Sequence, residues 1–211
     1  KVTSQEAANV LKKIILVYDA ANDIFELSKN NQYARQVIDS WAQAEWFTNK
    51  KSLPEEIKCL VFKVKGETNT DDLSPAVHAT SRPDIPLHAL SMLEFKEETG
   101  LDILQNLKSQ NIQIAYVGDV VGTGSSRKSA INSLVWHIGE DIPFVPNKKT
   151  GGIIIGGKIA PIFFNTAQDS GALPIEADVS NLDTGDLIKI EPYKGLIKKI
   201  DPLSKSEEKI S

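Results

Sequence analysis

The sequence predicts a mixed α/β domain that is preceded by a small all-helical segment. Apolar residues follow a helical period over residues 1–50, whereas short runs typical of strands alternate with helical patterns after Pro54. Hydrophobic residues make up 41% and charged residues 25% of the 211 positions, the balance of a globular chain with a sizeable core. We therefore expect a helical segment over 1–52, the α/β domain over 53–203 and a flexible, solvated tail over 204–211.

The helical segment begins with TSQE, Thr3 to Glu6, which has the spacing of a capping box. Two further helical patterns follow, and the second of them carries Trp41 and Trp46. We interpret these tryptophans as packing residues at the interface with the following domain rather than as a cofactor-stacking pair.

The α/β part starts with the alternating strand IKCLVFKVKG and continues with residues 67–86, which contain three prolines and no periodicity. A loop of that length inside a compact domain is usually functional. The strand IQIAYVGD then leads into the glycine-rich segment GDVVGTGSSRKSA and a helix. Further strands and a short helix ended by Gly171 follow, and the last strand pattern predicts a hairpin that turns at Lys194-Gly195.

Composition excludes several classes of function. A net charge of −4 argues against a generally basic surface for RNA or DNA. The single cysteine, Cys59, excludes an internal disulfide and a self-contained iron–sulfur or cysteine-rich zinc site. No apolar run reaches the roughly 18 residues of a membrane span, and no signal peptide is visible, so we expect a cytoplasmic protein without a membrane partner. Because the chain starts at Lys1 rather than Met, we also expect it to be a piece of a longer protein.

The glycine-rich segment has the order strand, loop, helix, which favours negative charge at the helix N-terminus. Gly122 and Gly124 would let the backbone approach a ligand, Ser125 and Ser126 could cap the helix or bind that ligand, and Arg127 adds a planar donor fork. A Walker loop needs a lysine directly after its last glycine, and the GxGxxG fingerprint needs a glycine where Arg127 stands, so neither nucleotide loop fits. A glycine turn with a serine cap and no ligand remains the alternative.

Arginine is rare in this sequence, where lysine is the usual cation. The three arginines are Arg35, Arg82 and Arg127, against 21 lysines, and two of them fall in the two loops described above. If the guanidinium groups of Arg82 and Arg127 point to one site, they suit a ligand with several carboxylates, or a phosphate. The alternative is that Arg82 only braces its own loop through Asp84.

The first loop also holds a compact polar group in the stretch NTDDLS, which comprises Thr70, Asp71, Asp72 and Ser74. These residues could orient a base or hold a substrate hydroxyl, or they could form an array of turns and caps without a substrate. The histidines show no metal-ligand spacing, so we expect no metal site and interpret them as packing or surface residues: His78, His88 and His137.

Taken together, the two loops resemble a known family. GETNTDDLSPAVHATSRPDIPLHAL and YVGDVVGTGSSRKSA are similar to the swivel domain of aconitases of the bacterial B type, and VPNKKTGGIIIGGKIAPIFFNTAQDSGALPI continues the resemblance. SWAQAEWF resembles the link from the helical, HEAT-like domain of that family. The resemblance implies a swivelling β/β/α domain that closes over cluster-bearing domains of the same protein, and the interconversion of citrate and isocitrate through cis-aconitate.

The resemblance also implies roles for individual residues. Ser125 matches the catalytic base, and Arg82 matches the arginine that grips a substrate carboxylate. The other matched substrate-binding positions are Thr70, Asp71, Ser74, Ser126 and Arg127, with Ser125 also among them. Asp72 is left out of the site because other aconitases carry histidine there. The family's [4Fe–4S] cluster is held by three cysteines of other domains, so this chain is expected to bind no cluster and to be inactive alone.

Two other functions remain open on the sequence. Isopropylmalate isomerases use the same swivel domain as a separate small subunit. Alternatively, the chain could serve as a dimerisation module through its helical segment, or as an mRNA-binding module of an aconitase that has lost its cluster.

Overall fold

The computed structural model describes residues 3–14, 18–48, 52–97, 99–142 and 145–210. The chain divides into two compact units, residues 1–53 and 54–211, and each is described by itself. Within the described residues no helix is long and apolar enough to cross a membrane.

The first unit is helical, as the sequence predicts. Its helices are α1 (Ser4–Leu11), α2 (Tyr18–Ser28), α3 (Gln32–Ala42) and α4 (Glu45–Thr48). The predicted capping box at Thr3 and Glu6 is confirmed. Trp41 packs with Ala8 and Val37, its indole Nε1 donates a hydrogen bond to the Leu11 carbonyl at 3.1 Å, and Trp46 packs against the same cluster. Both tryptophans therefore pack within the helical unit, as the packing interpretation predicts, and their place at an interface with the following domain stays a prediction.

The second unit is a mixed α/β domain, so the predicted fold class is confirmed. The strands are β1 (Ile57–Asn69), β2 (Gln113–Thr123), β3 (Glu140–Ile142), β4 (Val145–Thr150), β5 (Ile153–Ile159), β6 (Leu173–Glu176), β7 (Leu187–Glu191), β8 (Leu196–Ile200) and β9 (Glu207–Lys209). The helices are α5 (Thr70–Leu73), α6 (Ile85–Ala89), α7 (Gly100–Lys108), α8 (Arg127–Ile138) and α9 (Pro161–Asp169).

In the part of the chain that the structure describes, the main sheet has seven strands in the order β6-β5-β2-β1-β7-β8-β9, and β3 and β4 form a separate hairpin. The β6-β5-β2-β1 half is parallel, and β7, β8 and β9 continue from β1 in antiparallel fashion. The 3₁₀ turn Pro192–Lys194 and Gly195 connect β7 to β8, which confirms the predicted hairpin.

Strand alternation assigns the residues of β1 to two cores. Leu60 and Phe62 join a cluster with side chains of α7, α8 and α9. Cys59 and Val61 point to the opposite face and pack with residues of the 177–186 segment and of β7 and β8. Because successive strand residues face opposite sides, the alternating pattern read from the sequence places one core on each side of the sheet.

The structure differs from the sequence prediction in two places. Residues 67–86 are not a single irregular loop, because β1 continues to Asn69 and the short helix α5, a 3₁₀ turn at Ala76–His78 and the start of α6 follow. Residues 207–209 form strand β9 on β8 rather than a frayed tail, since Glu207 forms ion pairs with Lys189 and Lys198.

Candidate active site at the ends of β1 and β2

The two loops singled out in the sequence meet at one edge of the parallel half-sheet. Strands β1 and β2 run in parallel, and their last paired residues are Asn69 and Thr123. Helix α5 starts directly after Asn69, and the segment 124–126 leads from Thr123 into α8. In α/β proteins ligands bind outside the carboxyl ends of parallel strands, which is where both loops lie.

A side chain joins the two loops directly. The Thr70 hydroxyl oxygen accepts a hydrogen bond from the backbone N–H of Ser126 at 3.3 Å. Thr70 is only 3% exposed, whereas Ser126 is exposed, so the bond lies at the boundary between core and surface. The position of Ser125 and Ser126 is therefore tied to the first turn of α5.

The glycines of the second loop allow close packing of protein on protein. A Cβ at Gly122 would lie 2.1 Å from Cγ of Phe163 in α9, and one at Gly124 would lie 2.4 Å from the Thr70 hydroxyl oxygen. Both glycines also have positive φ angles, +80° and +105°. The sequence correctly singled out these glycines, and in the structure their lack of a side chain admits Phe163 and Thr70.

The N-terminus of α8 presents the serines and the arginine together. Ser126 occupies the N-cap position, yet its side chain makes no capping hydrogen bond, and Ser125 and Ser126 are exposed. Arg127 is half-buried, and its guanidinium forms no ion pair within the described residues. A shallow depression of about 310 Å³ is lined by Ser125, Ser126, Arg127, Lys128, Ser129, Ile162 and Thr166. Four hydroxyl side chains, a guanidinium, a lysine and the backbone donors of a helix start thus line one concave surface that suits an anion.

The segment that carries Arg82 is held by its backbone. The Arg82 N–H donates to the His78 carbonyl at 2.8 Å, and the Arg82 carbonyl lies 3.1 Å from Nδ1 of His88. Asp84 does not pair with Arg82. Its carboxylate caps α6 by accepting from the Leu87 N–H at 2.9 Å. The alternative in which Asp84 neutralises Arg82 is therefore wrong.

The acidic residues of α5 have different roles. Asp72 accepts a hydrogen bond from the backbone N–H of Asn69 at 2.8 Å, while the Asn69 side chain accepts from the N–H groups of Asp71 and Asp72. One carboxylate oxygen of Asp72 is therefore used in a capping box. Asp71 is exposed at the start of the helix.

Ser74 is buried and has a partner that sequence reasoning missed. Its hydroxyl lies 2.8 Å from Nε2 of His88, and the residue as a whole is 3% exposed. His88 was interpreted as a packing or surface residue, and no local pattern relates it to a serine fourteen positions earlier. The other two histidines make structural contacts, His78 with Glu94 and Phe95, and His137 with the Ala89 carbonyl.

The sequence has one cysteine, and its surroundings do not fit an iron–sulfur ligand. Cys59 is fully buried in the sheet, and burial raises the pKa of its thiol to about 12. A cluster ligand has to be a thiolate, which this environment disfavours. Within the described residues, no three histidine, cysteine or acidic side chains are grouped as metal ligands would be.

Comparison with known protein families decides the assignment. The family described as "Aconitate hydratase 2 N-terminus" matches residues 59–210, and "Aconitate B N-terminal domain" matches residues 1–47. The chain belongs to the aconitase B family. It is 67% identical over 191 residues to aconitate hydratase B of Synechocystis sp. and 55% identical over 204 residues to that of Escherichia coli. These matches cover 90% and 91% of this chain but 22% and 24% of the relatives, so the chain spans less than a quarter of their length.

More distant similarity connects this aconitase B chain to a separate small protein. It is 31% identical over 156 residues to the 3-isopropylmalate dehydratase small subunit of Clostridium beijerinckii, which covers 72% of this chain and 83% of that subunit. The crystal structure of a 3-isopropylmalate dehydratase from Methanocaldococcus jannaschii matches 74% of the chain and 83% of its own with a TM-score of 0.50 and 20% identity. That second match shows that the two proteins share a fold.

Proposed function

We propose that this chain is the swivel part of an aconitate hydratase, the hydro-lyase that interconverts citrate and isocitrate through cis-aconitate. The observation that carries the proposal is the meeting of the Ser125–Arg127 segment with Thr70 at the ends of β1 and β2, in a chain of the aconitase B family. Citrate carries three carboxylates, and guanidinium forks with backbone donors are the groups that bind carboxylates best.

Ser125 serves as the base in this proposal. It takes a proton from the carbon next to the one that bears the hydroxyl, the C–H electron pair becomes the double bond, and the C–O bond breaks with its electron pair staying on oxygen. The cluster held by other domains of the protein would accept this oxygen as a Lewis acid, and its protonation would release water. A serine is a weak base in water, so its alkoxide needs stabilisation. The positive end of the α8 dipole and the guanidinium of Arg127 favour the negative charge at this position.

The remaining matched residues bind and orient the substrate. Arg127 and Arg82 grip carboxylates, and Ser126 and Asp71 offer polar groups at the same edge of the sheet. Thr70 contributes by holding the Ser126 backbone. Ser74 is included in the site because it matches a substrate-binding position in the family's motif.

The iron–sulfur cluster of the family has to be ligated by residues outside this sequence, since Cys59 does not fit that role. The proposal therefore makes this chain one wall of an active site, with cluster-bearing domains of the same protein as its partner. We accordingly expect calorimetry to show that citrate binds this chain alone weakly or not at all. Tight binding would contradict the proposal that the chain supplies only part of the active site.

The direct test uses the full-length, cluster-loaded enzyme. Ser125→Ala should lower kcat by about 10²- to 10⁴-fold, the usual worth of a general base. Arg127→Lys should lower kcat/KM by at least about tenfold, because lysine cannot form the two parallel hydrogen bonds of a guanidinium.

Two matched variants serve as controls. Arg35→Lys changes an arginine whose guanidinium donates to the Ser28 carbonyl at 3.2 Å in the helical unit, and Ser180→Ala removes an exposed hydroxyl outside the site. Both should keep wild-type kinetics. Wild-type kinetics for Ser125→Ala and Arg127→Lys, with unchanged circular dichroism, would refute the proposal.

A second candidate is the small subunit of a 3-isopropylmalate dehydratase, favoured by the match that covers 83% of such a subunit. The helical residues 1–47, which match the aconitase B N-terminal domain, favour aconitase instead. The mass of the native gene product separates the two. A product of about this chain's 23.1 kDa supports the small subunit, whereas one several times larger supports aconitase.

The proposal also includes a second copy of the protein, bound through the helical unit, as a partner. It places the protein in the cytoplasm. Light scattering of full-length enzyme with and without residues 1–53 tests the dimer. The net charge of −4 does not favour mRNA as a partner of this chain, and a salt-dependent RNA mobility shift at physiological ionic strength would overturn that expectation.

A further inference from the structure

The ring of His88 lies between two residues that the family motif assigns to the substrate site. Its Nδ1 is 3.1 Å from the backbone carbonyl of Arg82, and its Nε2 is 2.8 Å from the hydroxyl of Ser74. Arg82 precedes α6 and Ser74 ends α5, so a single imidazole links the two halves of the first loop.

The partners fix the protonation pattern of the neutral ring. A carbonyl oxygen only accepts hydrogen bonds, so Nδ1 carries the hydrogen and donates it to Arg82. Nε2 is then an acceptor, and the Ser74 hydroxyl donates to it. The hydroxyl proton of Ser74 is thereby occupied within the protein.

Burial limits what Ser74 can do for a ligand. The residue is 3% exposed, whereas Ser125 and Ser126 are exposed at the α8 N-terminus. Ser74 also closes the first turn of α5, because its N–H donates to the Thr70 carbonyl at 3.0 Å. A continuous series of hydrogen bonds through Thr70, Ser74 and His88 therefore connects the loop before α8 to the backbone of Arg82.

We propose that Ser74 and His88 are positioning residues, which act on substrate through Arg82 by holding its backbone at a fixed place relative to α5. This inference rests on the proposed function, in which Arg82 grips a substrate carboxylate. It changes the role of Ser74 from a ligand contact to a support, and it adds His88 to the residues on which binding depends.

The test exploits two amides that imitate the ring nitrogens separately. Both variants are made in full-length, cluster-loaded enzyme. His88→Asn keeps a donor near the Nδ1 position for the Arg82 carbonyl, whereas His88→Gln keeps only the acceptor for the Ser74 hydroxyl. His88→Asn should therefore raise KM less than His88→Gln. His88→Ala should raise KM by about fivefold, the worth of roughly 1 kcal/mol, with kcat nearly unchanged. Ser74→Ala should resemble His88→Asn, because both lose the same hydrogen bond.

The decisive measurement repeats His88→Ala and Ser74→Ala in an Arg82→Ala background. If both residues act through Arg82, neither should raise KM further there. An equal further rise in that background would overturn the proposal. His137→Ala, which also removes a histidine bond to a backbone carbonyl, should lower stability and leave KM unchanged.

Hydrogen exchange separates this inference from the proposed function. His88→Ala should speed amide exchange in the peptide covering residues 79–88, because the Arg82 segment loses its anchor. Unchanged exchange there would overturn the inference whatever the kinetics. If Arg82→Ala itself leaves KM unaltered, the carboxylate assignment of the proposed function fails, and the exchange data still decide whether His88 holds the segment.

Discussion

The Thr70 hydroxyl and the Ser126 backbone N–H form a hydrogen bond of 3.3 Å between residues that are 56 positions apart in the chain. Ser126 lies at the N-cap of α8, directly before Arg127, and Thr70 is the first residue of α5. One buried hydroxyl thus fixes the position of the α8 N-terminus relative to the first loop.

We predict that Thr70→Val destabilises the chain by about 1 kcal/mol, because the Ser126 N–H loses its acceptor. Urea unfolding measures this difference. Thr70→Ser retains the hydroxyl and should recover most of the loss. Equal stability of the valine and serine variants would show that the hydrogen bond contributes nothing.

Gly124→Ala should lower the free energy of unfolding by more than the usual strain of a positive φ angle. Its Cβ would lie 2.4 Å from the Thr70 hydroxyl oxygen, so the loop or α5 has to move. Gly185 is a matched control, because its φ is +94° and no atom lies within 4 Å of the corresponding Cβ. Gly185→Ala should lower the free energy of unfolding only by the strain of about 1–2 kcal/mol. In urea unfolding, Gly124→Ala should be clearly less stable than Gly185→Ala.

The buried carboxylate of Glu191 should stabilise the fold in a pH-dependent way. Hydrogen bonds and charge from Lys194, at 2.7 Å, and Lys198, at 3.1 Å, lower the pKa of Glu191 to about 2 from its ordinary value of 4.5. Since the folded pKa is the lower one, the stabilisation is complete above pH 4.5 and is lost as the pH falls towards 2.

The difference in unfolding free energy between wild type and Glu191→Gln should therefore be largest above pH 4.5 and shrink on acidification. Glu208→Gln, which changes an exposed glutamate of β9, controls for the loss of one negative charge. A difference that does not change with pH between 5 and 2.5 would contradict the assigned ion pairs.

Cys59 should resist alkylation in the native protein. Its side chain is fully buried, and the pKa of about 12 leaves almost no thiolate at neutral pH. Peptide mass spectrometry after iodoacetamide treatment should find Cys59 unmodified until urea unfolds the chain. Rapid native labelling would show that the sheet opens at β1.

Local patterns predicted much of the fold and of the site. The capping box at Thr3, the helix after Arg127 and the hairpin at Gly195 each depend on residues close together in sequence, and the structure confirms them. The glycine segment was also recognised from its order of strand, loop and helix. These features follow from periodicity and from single-residue conformational preferences.

Contacts between distant residues could not be predicted in this way. The bond from His88 to Ser74 and the fit of Gly122 against Phe163 depend on how elements pack, and single-sequence patterns contain no such information. The strand at Glu207 was missed for the same reason, because its lysine partners lie on other strands. Residues 67–86 were predicted as loop because each element there is too short to show a period.

The parallel pairing of β1 with β2 has a consequence for folding kinetics. All its partners are widely separated in the chain, from Cys59 with Gln113 to Asn69 with Thr123, and pairs of this kind close a long loop before they gain stability. Thr70 and Ser126 can meet only after that closure. The edge that carries the two loops is therefore assembled in the same step that pairs β1 with β2, whereas the pairing of β1 with β7 closes a longer loop, from Ile57 to Ile190.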